Sequence, residues 1–169
     1  MRYLVIVNPT ARRGQADRAV PQIDTLLKEA RLDYTLVRTE RPMHAADLAQ
    51  QAAESGTEVV VAVGGDGTVN EVLNGLMRIP KDRRTCAIGV LCVGRGNDFA
   101  FGTGIPADLI EGVRTLSEGH RHTIDVGRVV GGDYPQGRYF GNGVGVGFDA
   151  VVGFVAARQR LVHGFTGYI

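Results

Sequence analysis

The chain has 169 residues, enough for one domain or for one domain and part of a second. Its 19 basic and 18 acidic residues leave a net charge of +1, which excludes the strong positive field typical of nucleic-acid-binding proteins. The hydrophobic share of 44% is that of a soluble globular protein, whereas the 24 glycines are about twice the average usage.

Apolar runs and helical stripes alternate along the first two thirds of the chain. The pattern predicts strands at residues 3–7, 32–38, 58–63 and 86–93. It predicts helices at residues 15–30, 45–55, from 68 onward, and 107–117. Pro21 predicts a late start or a kink in the first helix, and Thr68 with Glu71 predicts a capping box on the third. This order indicates an α/β fold with an open, mainly parallel sheet and helices on both faces.

The pattern changes near residue 120. Strands are predicted at residues 123–130 and 138–148, joined by a turn at 131–137 without a helix, and a helix is predicted at 149–160. We therefore expect an antiparallel pair and a domain boundary that separates residues 1–122 from residues 123–169. Glycine at 141, 143, 145 and 147 leaves one strand face bare, which predicts either a closely packed neighbour or a strongly bent strand.

The cysteines and the N-terminal run bear on the compartment. Cys86 and Cys92 share one predicted strand but are too far apart for a disulfide, so we expect buried free thiols in a reducing compartment. The apolar run at residues 3–7 is too short for a signal peptide or a membrane span. A cytoplasmic protein, in contact with membranes only at their surface, is the expectation.

Three glycine-rich or polar loops follow predicted strands, at residues 8–14, 64–68 and 94–97. In an open parallel sheet, ligands bind beyond the carboxyl ends of the strands, and helix N-termini at such loops favour anions. The loops therefore predict a phosphate-bearing ligand. Neither G-x-x-x-x-G-K-[ST] nor a G-x-G-x-x-G after the first strand is present, so a nucleotide would bind in another way.

Five segments carry a family resemblance: IVNPTARRG (6–14), GGDGTVNEVLNG (64–75), GVLCVGRGNDFA (89–100), DVGRV (125–129) and YFGNGVGVGFDA (139–150). In this order they resemble the diacylglycerol kinase catalytic-domain family of lipid kinases, which includes sphingosine and ceramide kinases. GGDGT is shared with NAD kinases and phosphofructokinases, and its combination with the GNDF loop is more specific.

The resemblance implies a kinase that transfers the γ-phosphate of ATP to a lipid hydroxyl, such as that of diacylglycerol. It also implies a nucleotide-binding α/β domain followed by a β-sandwich domain. By position, the implied nucleotide contacts are Asn8, Pro9, Thr10, Ala11, Arg12, Thr39, Gly64, Gly65, Asp66, Gly67, Thr68, Val69, Asn70, Arg95 and Asn97. The resemblance implies that Asp66, Asp98 and Asp125 hold Mg2+, partly through water. Asp66 is the candidate catalytic residue, either for organising the metal or for orienting the acceptor hydroxyl. From the residues alone, Asp98 could equally cap the following helix and Asp125 could be a surface position.

The chain also departs from the family pattern. Arg95 stands where the family usually has threonine, and Ala11-Arg12-Arg13 replaces a small residue and glycine. Family members continue well beyond this length, so we expect only the start of the sandwich. Alternative hypotheses are a kinase of NAD or a sugar phosphate, and an inactive nucleotide-binding module or fragment. The expected partner is a lipid at a peripheral membrane contact, without nucleic acid, and a homodimer stays open. The amphipathic stretch 151–161 would pack on the sandwich or gather lipid.

Overall fold

Strands and helices alternate through residue 102, a further helix follows, and the chain then forms a two-stranded hairpin. The structure is a computed structural model that describes residues 1–94, 96–147 and 150–151. The elements are β1 (Arg2–Val7), α1 (Gln15–Glu29), β2 (Asp33–Arg38), α2 (His44–Glu54), β3 (Val59–Gly64), α3 (Asp66–Leu76), β4 (Ala87–Cys92), α4 (Asp98–Gly102), α5 (Leu109–Glu118), β5 (Gly127–Gly131) and β6 (Tyr134–Phe140). A short 3-10 turn at Lys81–Arg83 precedes β4.

The first four strands form one parallel sheet in the order β2-β1-β3-β4. The predicted α/β architecture is therefore confirmed. The chain leaves β1 toward β2 on one side and later returns to place β3 on the other side. The strand order thus reverses between β1 and β3, and in open parallel sheets the crevice beyond such a point is where ligands bind.

Apolar side chains cover both faces of this sheet. Every residue of β3 is buried, which is why its sequence is a continuous apolar run rather than an alternating one. One face packs against α2 and α3 through Ala49 and Val72, and the other against α1 and α5 through Ile23 and Val113. Packing on both faces fixes the strand ends that carry the predicted loops.

The proline in α1 does not delay the helix. α1 begins at Gln15 and runs through Pro21, so the predicted late start is wrong. Pro21 itself is exposed, while Ala16, Ile23 and Leu27 on either side of it are fully buried. The burial of this stripe outweighs the hydrogen bond that proline cannot donate.

The predicted capping box on α3 is also wrong. The helix begins at Asp66, two residues before Thr68, and its N-cap Gly65 has no side chain to offer. Thr68 and Glu71 have other partners: the Thr68 hydroxyl accepts from Asn8 Nδ2 at 3.1 Å, and Glu71 Oε2 accepts from the backbone N–H of Ala45 at 3.3 Å. These two side chains tie α3 to neighbouring elements instead of capping it.

The antiparallel pair is confirmed, but its turn is shorter than predicted. β5 and β6 are joined through residues 132–133, and the second strand is Tyr134–Phe140 rather than residues 138–148. Gly131 and Gly132 adopt positive φ values of 119° and 53°, which allow this tight turn. Pro135 fits in β6 because a strand at an edge needs fewer N–H donors.

The region after β6 is described only in part. Residues 141–147 are not a strand, and their alternating glycines supply few side chains to hold one. Phe148 and, apart from residues 150–151, the helix predicted at 149–160 lie outside the described residues, as does most of the stretch 151–161. Among the helices that are described, none is long and apolar enough to cross a membrane.

Candidate active site

The carboxyl ends of the four parallel strands lie side by side at one edge of the sheet. Backbone hydrogen bonds extend the pairing just beyond the strands: Thr39 N–H donates to Val7, Asn8 N–H to Val63, and Val93 N–H to Gly64, at 2.8, 3.0 and 3.0 Å. The three predicted loops therefore emerge next to one another, with Thr39 beside the first of them. The structure brings the loops together as the sequence predicted.

Asn8 connects the first loop to α3 across the point where the strand order reverses. Its Oδ1 accepts from the N–H and hydroxyl of Thr10 at 3.1 and 2.9 Å, and its Nδ2 donates to the Thr68 hydroxyl. Thr68 is buried, so this contact lies beneath the surface of the crevice. Asn8 thus shapes the loop and fixes it to the first turn of α3.

The loop before α1 has an uncommon backbone. Arg12 and Arg13 adopt positive φ values of 48° and 58°, and Gly14 follows at 85°. Residues other than glycine pay an energetic cost in this region, and such conformations concentrate at binding sites. Arg12 is exposed, while Pro9 and Ala11 of the same loop are half-buried. The expected nucleotide contact of Arg12 is compatible with this exposure.

The glycines of GGDGT allow backbones to approach each other. A Cβ on Gly64 would collide with the side chain of Thr68, and a Cβ on Gly65 would lie 3.2 Å from the Cα of Gly94. A Cβ on Gly67 would meet nothing within 4 Å, so this position faces open space. The Thr68 side chain therefore explains Gly64, and close packing against the loop at Gly94 explains Gly65. Gly67 leaves the first turn of α3 open.

Asp66 bridges the two loops. As the first residue of α3, it accepts a hydrogen bond from the backbone N–H of Phe99 at 2.9 Å through Oδ1. A Cβ built on Gly96 would lie 3.3 Å from Asp66 Oδ2 and 3.2 Å from Asp98 Oδ1. The two carboxylates therefore approach the same point. Burial, and after it the negative charge of Asp66, raises the pKa of the Cys92 thiol at the end of β4.

Comparison with known proteins places this geometry in a family. The family model for the diacylglycerol kinase catalytic domain matches residues 2–129. The chain belongs to this family. A diacylglycerol kinase of Staphylococcus saprophyticus is 30% identical over 83% of this chain and 43% of its own length, and one of Staphylococcus aureus (strain MRSA252) is 33% identical over 83% and 42%.

A solved structure agrees with these relatives. A crystal structure of a diacylglycerol kinase from Bacillus anthracis (strain Sterne) covers 76% of this chain and 42% of its own length, with a TM-score of 0.62 and 28% identity. The chain thus spans less than half the length of the relatives that it matches.

The magnesium ligands implied by the family resemblance come together only in part. Asp66 and Asp98 are close, but no group of three or more His, Cys, Asp or Glu suited to a metal occurs among the described residues. Asp125 is exposed on the segment before β5. Two carboxylates still fit Mg2+, which commonly takes one or two of them and completes its shell with water and phosphate. A role for Asp125 stays a prediction.

Asn97, rather than Asp98, occupies the N-cap position of α4, so the interpretation of Asp98 as a helix cap is wrong. Asn97 has a positive φ of 57°, and its Nδ2 donates to the Gly94 carbonyl at 3.5 Å. Its side chain therefore closes its own loop. Arg95, which replaces the family threonine, lies outside the described residues.

Two other implied nucleotide residues direct their side chains elsewhere. Val69 is 3% exposed and belongs to the core between α3 and the sheet. Asn70 contacts the hairpin, where its Nδ2 donates to the carbonyl of Tyr139 at 2.9 Å. Asn74, a buried polar residue that contacts Tyr139, is not among the site residues predicted from the sequence. The four-residue spacing of Asp66, Asn70 and Asn74 was the available signal.

A cavity of about 350 Å³ lies away from this edge, between β4, α5 and residues 119–124. It is lined mostly by apolar side chains, with Arg121 and two histidines at its border. None of the implied nucleotide or magnesium residues lines it. Because phosphate chemistry needs anion-binding and carboxylate groups, the sheet edge, rather than this cavity, is the candidate active site.

Proposed function

We propose that this protein is the nucleotide-binding part of a lipid kinase that transfers the γ-phosphate of ATP to a hydroxyl of a diacylglycerol-type lipid. The observation that carries the proposal is the approach of Asp66 and Asp98 to one point between two glycine loops at the sheet edge. Membership of the diacylglycerol kinase catalytic-domain family supports the kinase assignment, and the names of the relatives support the lipid.

The nucleotide would lie across the crevice between β1 and β3. The first turn of α3 offers backbone N–H groups and a partial positive charge, both of which favour phosphate. Gly67 leaves room there, and Asn8 fixes the neighbouring loop. The exposed Arg12 guanidinium could form a forked contact to phosphate oxygens, and Thr39 borders the crevice on the other side.

Magnesium would be held by Asp66 and Asp98, with Asp125 as a further ligand through water. The bound ion would neutralise charge that develops on the transferred phosphoryl group, which is the main requirement of phosphoryl transfer. Asp66 already uses Oδ1 to accept from Phe99, so Oδ2 is the atom that faces the metal or the acceptor hydroxyl. The same carboxylate thus positions α4 and organises the reaction.

The lipid would be bound by the β-rich region. We assign residues 1–122 to a nucleotide-binding domain and residues 123–169 to the start of a lipid-binding domain. Two apolar side chains are highly exposed: Phe101 on α4 is 89% exposed and Val146 after β6 is 82% exposed. Exposed apolar side chains of this kind would suit peripheral contact with a membrane surface, from which the enzyme would draw its lipid.

Transfer of a labelled γ-phosphate tests the proposal. The complete protein is incubated with γ-labelled ATP and either diacylglycerol in mixed micelles, NAD, or a sugar phosphate, with Mg2+ or with a chelator. We expect label in the lipid only, and only with Mg2+. Label in NAD or in the sugar phosphate would support the alternative kinases. Tight ATP binding without transfer to any lipid would support an inactive nucleotide-binding module, and either result would contradict the proposal.

A further inference from the structure

One face of α3 connects the candidate active site to the β5–β6 hairpin. Asp66, Asn70 and Asn74 are spaced four residues apart, so they form a single row along the helix. Asn74 lies about 12 Å along the axis from Asp66, and Asn70 about 6 Å, at 1.5 Å per residue. The residues that contact the hairpin therefore share a rigid element with the carboxylate proposed for catalysis.

Asn74 pairs with both backbone groups of Tyr139 in β6. Its Nδ2 donates to the Tyr139 carbonyl at 2.9 Å, and its Oδ1 accepts from the Tyr139 N–H at 2.9 Å. The Asn74 amide thus satisfies the backbone hydrogen-bonding groups of Tyr139, as a neighbouring strand would. Asn74 is only 9% exposed, and a buried amide with this two-way pairing fixes position as well as distance.

Asn70 contacts Tyr139 as well, and also the preceding strand residue, Arg138. Its Nδ2 donates to the Tyr139 carbonyl at 2.9 Å, and its Oδ1 accepts from Arg138 Nε and Nη2 at 3.0 and 2.8 Å. Five hydrogen bonds therefore join α3 to β6. Because the forked arginine occupies Oδ1, the Asn70 side chain serves the hairpin rather than the nucleotide.

A second contact, which is apolar, joins the end of the hairpin to α4 and α3. A Cβ on Gly141, the residue after β6, would lie 2.8 Å from the Phe99 ring and 3.4 Å from Leu73 of α3. Phe99 is the residue whose N–H donates to Asp66. The hairpin thus meets the Asp66 region twice, through the asparagines of α3 and through the ring of α4.

We propose that Asn70, Asn74 and Arg138 are positioning residues that hold the hairpin, and the acceptor lipid bound beyond it, in register with Asp66. The inference rests on the lipid kinase proposed above. A misplacement of about 1 Å between reacting groups can cost about 100-fold in rate, so a polar contact with defined geometry is suited to this task. These residues act through the backbone of β6 and do not touch the nucleotide.

Arg138→Met tests the inference against a matched control, Arg128→Met. Both arginines lie over a hairpin tyrosine, Arg138 over Tyr134 at 5.3 Å and Arg128 over Tyr139 at 5.5 Å. Only Arg138 reaches α3, because Arg128 donates to the Gln136 carbonyl within the hairpin. In the complete protein, we expect Arg138→Met to lower kcat for lipid phosphorylation about tenfold, whereas Arg128→Met stays within about twofold of wild type.

Nucleotide binding separates positioning from general loss of fold. We expect the affinity for a non-hydrolysable ATP analogue, and the number of sites per chain, to be unchanged in Arg138→Met. Arg138→Lys should recover part of kcat, since lysine can donate to Asn70 but not as a fork. Asn74→Ala should behave like Arg138→Met and should also speed hydrogen exchange at the Tyr139 amide.

The inference is overturned if Arg138→Met and Asn74→Ala keep the lipid kcat of Arg128→Met, even where exchange at Tyr139 is faster. It is also overturned if nucleotide sites are lost in proportion to kcat, because the contact would then only support folding. Absence of lipid phosphorylation in the wild-type protein is a different result. It would contradict the proposed function itself, and this inference would fall with it.

Discussion

The parallel sheet and the hairpin are held in place by different forces. All of β3 is buried and packed on both faces, whereas most of β5 and β6 is exposed or half-buried, with Val130 at 62% exposure. Hydrophobic burial is strong but non-directional, and hydrogen bonds contribute less net free energy but require a defined geometry. The sheet therefore supplies stability and a rigid edge, while the hairpin is placed by the asparagine contacts of α3.

Gly75→Ala should cause the largest loss of stability, because it disturbs the closely packed unit formed by the sheet and its helices. A Cβ at Gly75 would collide with the backbone of Ala46, including its carbonyl oxygen, where α3 crosses α2. Backbone atoms cannot move aside cheaply, so we expect the free energy of unfolding to fall by about 3 kcal/mol. Urea unfolding followed by circular dichroism measures the change.

Gly67→Ala is the matched control, since it lies in the same helix with open space around it. We expect its stability to stay within about 1 kcal/mol of wild type, with alanine favouring the helix. Equal unfolding midpoints for Gly75→Ala and Gly67→Ala would mean that the α2–α3 contact does not limit the stability of this unit.

Gly141→Ala should reduce stability less than Gly75→Ala does, and its effect should be confined to the β5–β6 hairpin. The new Cβ would press on the Phe99 ring and on a methyl group of Leu73, and side chains can yield where backbone cannot. We expect a loss of about 1 kcal/mol and faster hydrogen exchange in β6, with the sheet amides unaffected. Gly143→Ala, which meets nothing within 4 Å, should leave both unchanged. An equal effect of the two substitutions would show that close packing at Gly141 is unimportant.

The parts of the fold that follow local physical patterns could be predicted from the sequence. The apolar run of β3 and the helical stripes of α2 and α5 came out within a few residues, because burial imposes their period. The start of α3 at Asp66 could not, since the Asp66 side chain accepts from the backbone N–H of Phe99, 33 residues away in the chain. The short turn of the hairpin was missed because Pro135 is tolerated inside an edge strand.

The candidate active site, like the fold, could be predicted from the sequence only in part. The strand ends were predicted from the alternation of elements, and the approach of Asp66 to Asp98 from the family resemblance. The partners of Asn70 and Asn74 could not be predicted, because Arg138 and Tyr139 are 65 to 69 positions away and no local pattern links them. The sequence does not show that Asn97, rather than Asp98, takes the N-cap position of α4, because both residue types favour it.

Asp66→Asn tests the central claim that the Asp66 charge, at the sheet edge, organises phosphoryl transfer. Asparagine keeps an oxygen that can accept from Phe99, so α4 should stay in place while one negative charge is removed. We predict that kcat for lipid phosphorylation falls about 100-fold and that affinity for an ATP analogue changes by less than about fivefold. If turnover and affinity are both unchanged, Asp66 only shapes the turn and the account is wrong.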